Sequence, residues 1–206
     1  MGGLKALLIL LWLNLYLGSR VKFFATTVPG LEAILYDEIK LLQGAENIHL
    51  KSSGVEFSGT VKTGLEALMW LRTPLKLMEN LVDNVSVNSK EDLYDVCRRI
   101  NWIDTIPSDG TIKCDCVMGL NNPPSLTHTH FNSLTIKNAI VDQFRDETGS
   151  RPSVHLDDPD LSLLMYLHKS KASLYRVWSG NESMHKRGYR NVIHKAMLRE
   201  TTAAAM

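Results

Sequence analysis

Leu163-Leu164-Met165-Tyr166-Leu167-His168-Lys169-Ser170-Lys171-Ala172-Ser173-Leu174-Tyr175-Arg176-Val177-Trp178 reads as two strands, 163–167 and 173–178, joined by the tight polar segment His168-Lys169-Ser170-Lys171. Upstream of it, strand and helix patterns alternate along the chain. A late hairpin added to that alternation gives an antiparallel pair beside crossover connections. The class is therefore α/β (α+β) with a mixed sheet.

Working back from the hairpin, Phe131–Phe144 reads as a helix, Asn121–Ser125 as a loop and Thr111–Met118 as a strand. Ser89-Lys90-Glu91-Asp92 is a helix start, with a hydroxyl cap and an acid three residues later. Leu93, Val96, Cys97 and Ile100 give that helix its apolar face. Leu75–Val87 is extended, and a helix over Lys62–Leu71 ends before Thr73-Pro74. Ile48–Leu50 and Val55–Phe57 are short strands around the turn Ser52-Ser53-Gly54. Val21–Thr27 is a buried strand leading into Pro29, which suits a first helical position, and then into a helix carrying Leu31, Ile34, Leu35, Ile39 and Leu42. Gly44 stands where a left-handed cap is wanted. A division into two domains falls near Gly59–Gly64.

The 206 residues allow one good core or two small domains. Apolar content of 44% and a net charge of +1 are ordinary, so the distribution of charge carries the information. From Lys169 to Arg199 there are eight basic residues and a single acid, Glu182. Asp142, Asp146, Glu147, Asp157, Asp158 and Asp160 make the preceding region acidic. The basic stretch is either a phosphate-facing surface or a solvated charged face. Three cysteines form an odd, sparse set that fits a reducing compartment, cytoplasm or organelle matrix. Cys114 and Cys116 share one strand face with Ile112 and Met118 and read as small buried hydrophobes rather than half a metal site. Leu4–Leu17 is nearly all apolar but too short for a membrane span, which needs about 20 residues. It has the length of a signal-peptide core, in which case Asn84-Val85-Ser86 and Asn181-Glu182-Ser183 would be glycosylation acceptors. We treat residues 1–20 as an apolar leader outside the fold.

Several local motifs suggest chemistry. Asn122-Pro123-Pro124 opens like the amine-methylating Asn-Pro-Pro-aromatic motif, but Ser125 occupies the stacking position, which leaves a proline loop. His128 and His130 lie two apart without a Glu at helical spacing, so they read as a helix-entry cluster, and no metal is expected. Met184–Arg190 is the strongest local candidate for function. Arg187 and Arg190 offer planar forks to phosphate, Gly188 lets backbone approach closely, and Tyr189 between them can stack on a base. The alternative is a basic connector that packs Tyr189 against the sheet.

Taken in order, Phe24-Ala25-Thr26-Thr27, Gly30-Leu31-Glu32, Gly54–Gly59, Ala67–Arg72, Ile100-Asn101-Trp102, Lys137–Asp142, Arg151-Pro152, Leu167-His168-Lys169, His185–Arg190 and Glu200–Ala205 resemble the N-terminal half of the THUMP-domain RNA methyltransferases. The similarity is greatest to the branch that methylates a guanine amino group in large-subunit ribosomal RNA, and it covers about residues 22–206. It implies a ferredoxin-like region over 21–61, a THUMP RNA-binding domain over 62–179, and a basic connector with the start of a methyltransferase domain over 180–206. RNA, ribosomal RNA in particular, is the implied partner, with Lys137, Lys186, Arg187 and Arg190 as phosphate contacts and Tyr189 as a stacker. No cofactor, catalytic residue or metal is expected within these residues; S-adenosylmethionine belongs to the implied full-length enzyme. The run Glu200–Ala205 stops in alanines without a glycine or proline, as a linking helix cut short would. Met197 stands where the family tends to have proline. The alternative readings are a non-catalytic protein-interaction module and a secreted or membrane-tethered domain.

Overall fold

The structure, a computed structural model, describes residues 18–188 and 197–206. Its chain divides into two compact units. The first takes the described residues up to Glu79 and those from Glu182 onward, and the second is Asn80–Asn181.

In the first unit the order is β1 (Arg20–Thr26), α1 (Glu32–Lys40), β2 (Glu46–Lys51), β3 (Gly54–Thr60), α2 (Val61–Trp70) and the opening residues of β4 (Lys76–Ser86). This is the βαββαβ order of a ferredoxin-like domain, with strands side by side as β2-β3-β1-β4, each antiparallel to its neighbour. Phe23 and Phe57 face each other across β1 and β3 with stacked rings 5.2 Å apart. Leu35 and Ile39 of α1 are fully buried, as the helical spacing requires. The helix begins later than Pro29 suggests. Gly30 takes φ +93°, which breaks the right-handed run, and its N–H donates to the Glu32 carboxylate at 2.8 Å. α2 is opened by a capping box, in which Thr60 and Thr63 exchange backbone and side-chain bonds. The sequence reading divides the chain at 61/62; in the structure α2 packs on β1 and β3 of the first unit.

The second unit continues with the later residues of β4, then α3 (Lys90–Arg98), β5 (Thr111–Met118), a short 3-10 turn at Pro124–Leu126, α4 (Thr129–Thr148), β6 (Ser153–Val154), β7 (Leu161–His168) and β8 (Lys171–Val177). Its strands lie in the order β4-β8-β7-β5-β6. β5 is parallel to β6 and β7, whereas β7 and β8 form the antiparallel hairpin, so the sheet is mixed, as expected. The two residues of the hairpin turn, Lys169 and Ser170, take φ of 50° and 57°, the twist that a two-residue hairpin needs. Ser89 and Asp92 form the expected capping box. Leu93, Val96, Cys97, Trp102, Ile136, Ile140 and Phe144 build the core against β5 and β7. Cys114 and Cys116 pack against that core beside Ile112 and Met118. Burial pushes the Cys97 thiol up to about 12 and the Cys116 thiol up to about 11, and raises Cys114 too, so all three stay protonated and inert near neutral pH. α5 (Glu200–Ala204) is a single short turn of helix in the first unit, with Thr201 buried.

Candidate nucleic-acid interface

The sequence-derived contacts fall into both units. Lys137 lies midway along α4, half-buried, and close enough to Cys114 for its charge to offset part of that thiol's upward shift. Lys186 is exposed and pairs with Glu182 at 3.4 Å, a contact between solvated side chains worth little in stability. Arg187 has a different occupation from the open fork its sequence suggests. Its terminal nitrogens donate to the carbonyls of Met69 (3.1 Å) and Leu71 (2.5 Å), and its Nε donates to Met184 O at 3.3 Å. The guanidinium thus caps the last turn of α2, where unpaired carbonyls and the helix dipole both favour a cation. Met184 N–H donates to Leu75 O at 2.8 Å and fixes the segment that carries it. Tyr189 and Arg190 lie outside the described residues.

An open groove of about 420 Å³ on the first unit is lined by Leu41, Leu42, Trp70 and Leu71 together with Glu38 and Glu66. Arg72 and Gln43 complete the lining, and two carboxylates against one guanidinium make it a poor seat for a polyanion.

The second unit is electrically polarised, and its topology shows why. β5 and β7 run in parallel, so their C-terminal ends and the β7–β8 hairpin lie at one end of the unit. Val87 N–H donates to Ser170 O at 2.9 Å, Lys169 N–H to Leu120 O at 3.1 Å and Ser125 Oγ to Asn88 O at 2.8 Å. These bonds tie the hairpin to the starts of α3 and α4. Asn122 serves there as a strut, its amide donating to Gly119 O and Leu167 O, which agrees with the proline-loop reading. Three lysines gather at this end, Lys90, Lys169 and Lys171, with His128, His130 and His168, against Glu91 and Asp92. The Asp92 carboxylate is already engaged by the backbone N–H groups of Asn88 and Ser89. Both helices begin here, so their positive dipole ends add to the lysines.

At the other end, roughly 20–25 Å away along eight-residue strands, the balance reverses. Asp104, Asp109, Asp142, Asp146, Glu147, Asp157, Asp158 and Asp160 outnumber Arg98, Arg99, Lys113, Arg145, Arg151 and Arg176, of which Arg98 and Arg145 are paired with Asp146 and Asp142. Asp160 accepts from the Thr111 backbone and hydroxyl at 2.7 and 2.8 Å, bonds that hold its carboxyl below the usual range. The balance of charge therefore favours the hairpin end over the opposite one for a polyanion. The sequence points to the connector and not to this end because Lys90, His128 and Lys169 are far apart in the chain and only the fold brings them to one end.

Asn181 donates to Leu156 O and, at 2.9 Å, to Asp157 O, and accepts from Lys113 Nζ at 2.6 Å. An amide so engaged is not free to carry a glycan. No helix among the described residues is long and apolar enough to cross a membrane, and no cluster of three or more His, Cys, Asp or Glu among them is placed to hold a metal ion.

A ferredoxin-like unit followed by a mixed-sheet unit is the architecture that the family comparisons recover. The model of the RlmL ferredoxin-like domain matches residues 22–77, and the THUMP domain model matches residues 87–177. The chain thus matches a THUMP domain behind an RlmL-type ferredoxin-like domain. Among curated relatives, the ribosomal RNA large subunit methyltransferase K/L of Magnetococcus marinus is 37% identical over 90% of this chain and 25% of its own length. A putative RNA methyltransferase of Synechocystis is 35% identical over 89% of this chain and 46% of its own length. The chain therefore spans about a quarter of the K/L relatives that it matches. Of solved structures, a predicted N6-adenine-specific DNA methylase from Listeria monocytogenes superposes with a TM-score of 0.78 at 22% identity, covering 95% of this chain and 49% of that one. SMU.472, a putative methyltransferase complexed with SAH, superposes at 0.76 with 20% identity, covering 90% and 48%. At these identities the likeness is one of fold.

Proposed function

We propose that this chain is the RNA-binding portion of an S-adenosylmethionine-dependent methyltransferase that acts on a guanine amino group of large-subunit ribosomal RNA. The observation that carries the RNA-binding half is the polarity of the second unit, whose hairpin end combines three lysines with two helix N-termini. The names of the relatives support the ribosomal substrate, and their bacterial sources fit work in a cytoplasm. Three quarters of each K/L relative has no counterpart in these 206 residues, and we assign methyl transfer and the methyl donor to that portion. Within this chain the work is capture. Lys90, Lys169 and Lys171 take phosphates at the hairpin end, and Lys137, Lys186, Tyr189 and Arg190 extend the contact.

Salt dependence tests this reading. Each phosphate contact releases condensed counterions, so the slope of log affinity against log salt is about −0.7 to −0.9 per contact. The chain should bind a structured large-subunit rRNA fragment with a slope of about −2 or steeper. Lys90→Glu with Lys169→Glu should flatten that slope by about two, since both side chains are exposed and their loss leaves the fold intact. Binding that ignores salt, or no binding at all, contradicts the proposal.

A protein-docking role has one observation on its side. Leu41 (87% exposed), Met69 (68%) and Trp70 (70%) leave apolar surface on the first unit.

A further inference from the structure

Phe131 stands in the first turn of α4 with 52% of its surface open to solvent. A phenyl ring at a helix start with half of its surface in water leaves that apolar area unburied. Its surroundings are specific. The His128 ring meets it edge-on with centroids 5.7 Å apart and an interplanar angle of 86°. The His130 ring lies at 5.9 Å and 57°. Lys90 Nζ, from the start of α3, lies over the ring at 5.3 Å. The loop entering this turn is pinned, because the buried Asn132 amide donates to Leu126 O at 3.1 Å and Thr127 Oγ1 to Pro124 O at 3.2 Å. The ring is therefore held in place at the hairpin end, beside Lys90 and two imidazoles, with half of its surface open to solvent.

An exposed aromatic ring, a lysine on its face and flanking imidazoles are the parts of a base-stacking position. The ring offers a π-face to any nucleobase, and the cations meet the adjoining phosphate. A purely apolar protein ligand would leave Lys90, His128 and His130 desolvated beside it, which charge complementarity disfavours. Bases stacked inside a duplex cannot reach such a ring, so the occupant has to be unpaired. We infer that the Phe131 corner seats one unpaired nucleotide of the bound RNA, its base stacked on Phe131 and its phosphate near Lys90 and Lys169. This rests on the RNA-binding reading above and goes beyond it, by assigning the hairpin end a preference for RNA that contains a single-stranded base over continuous duplex.

Two RNAs of equal length and charge test it by fluorescence anisotropy with the full chain. One is a hairpin with an unpaired loop and the other is a blunt duplex. Native protein binds the looped RNA more tightly. Phe131→Ala lowers that affinity about tenfold or more, the range of one lost aromatic–base stack, changes duplex binding little and leaves the salt slope as it was. Phe131→Trp keeps or strengthens the preference for the looped RNA, which a merely structural role for the ring would not give. If Phe131→Ala binds both RNAs as the native chain does, with salt-dependent binding intact, the stacking assignment is overturned and RNA binding stands. An equal loss on both RNAs overturns it too. If the native chain binds neither RNA in a salt-dependent way, the assignment and the reading beneath it both fall.

Discussion

Trp102→Ala should lower the stability of the second unit by roughly 3–5 kcal/mol, the range for removing a fully buried aromatic side chain. Trp102 is the largest fully buried side chain among the described residues, with no exposed surface. It also joins α3 to α4. Its Nε1 donates to Cys97 O at 2.9 Å, near the end of α3, and its backbone N–H donates to Gln143 Oε1 at 2.8 Å on α4. The Gln143 amide donates in turn to Ile100 O at 3.0 Å and Arg98 O at 3.3 Å. Alanine removes the indole volume and the shorter of the bonds to the Cys97 carbonyl, which keeps the Ile100 N–H at 3.4 Å. Domains of this size are stable by only about 5–15 kcal/mol, so the loss consumes a large part of the margin. Urea unfolding followed by circular dichroism measures it, since the substitution removes one of the fluorophores. Trp102→Phe keeps most of the volume and should cost appreciably less. A shift below about 1 kcal/mol for the alanine variant would show that α3 and α4 are held together by other contacts.

The second large effect is expected at Glu38, on the first unit. Its carboxylate accepts from the Thr73 hydroxyl at 2.7 Å, from the backbone N–H groups of Thr73 and Arg72 at 3.1 and 3.2 Å, and from Arg72 Nε at 3.3 Å. One side chain thereby fixes the turn that carries the chain from α2 into β4. Arg72 is largely exposed, and water can replace its contact. Thr73 is completely buried, and water cannot reach its N–H. Glu38→Ala should therefore cost about 2–3 kcal/mol, the range for hydrogen bonds to a charged group plus one stranded donor. Glu38→Gln keeps an acceptor oxygen and should recover about half of that loss. Equal midpoints for the alanine and glutamine variants in thermal unfolding would show that the turn does not depend on the acceptor.

Much of the architecture was legible because it is written locally. The Ser89/Asp92 capping box and the turn at Lys169-Ser170 each depend on a few adjacent residues, and each lies where the pattern places it. Gly44 takes a left-handed φ of 79°, but α1 is already capped at Leu41 in the right-handed region. The alternation of Ile112, Cys114, Cys116 and Met118 likewise predicts which face of β5 meets the core. Pro29 misled because Gly30 beside it adopts a left-handed φ and delays the helix, a choice that propensity does not reveal. The candidate site was legible only as a class of partner. Arg187 reads as a phosphate fork in a basic string, yet three carbonyls surround its guanidinium once α2 is in place. Phe131 reads as the first apolar residue of a helix. Its solvent exposure, and the lysine 41 positions earlier in the chain that lies over it, exist only after α3 and α4 have packed side by side.

The central claim is that the hairpin end of the second unit is the surface that meets RNA. Ultraviolet crosslinking of the full chain to a structured large-subunit rRNA fragment, with adducts mapped by mass spectrometry, addresses it most directly. The account predicts adducts on peptides that contain residues 119–131 and 168–171, and none on those that contain residues 104–110 and 146–160. Adducts concentrated on the acidic end, or spread evenly over both, would contradict it.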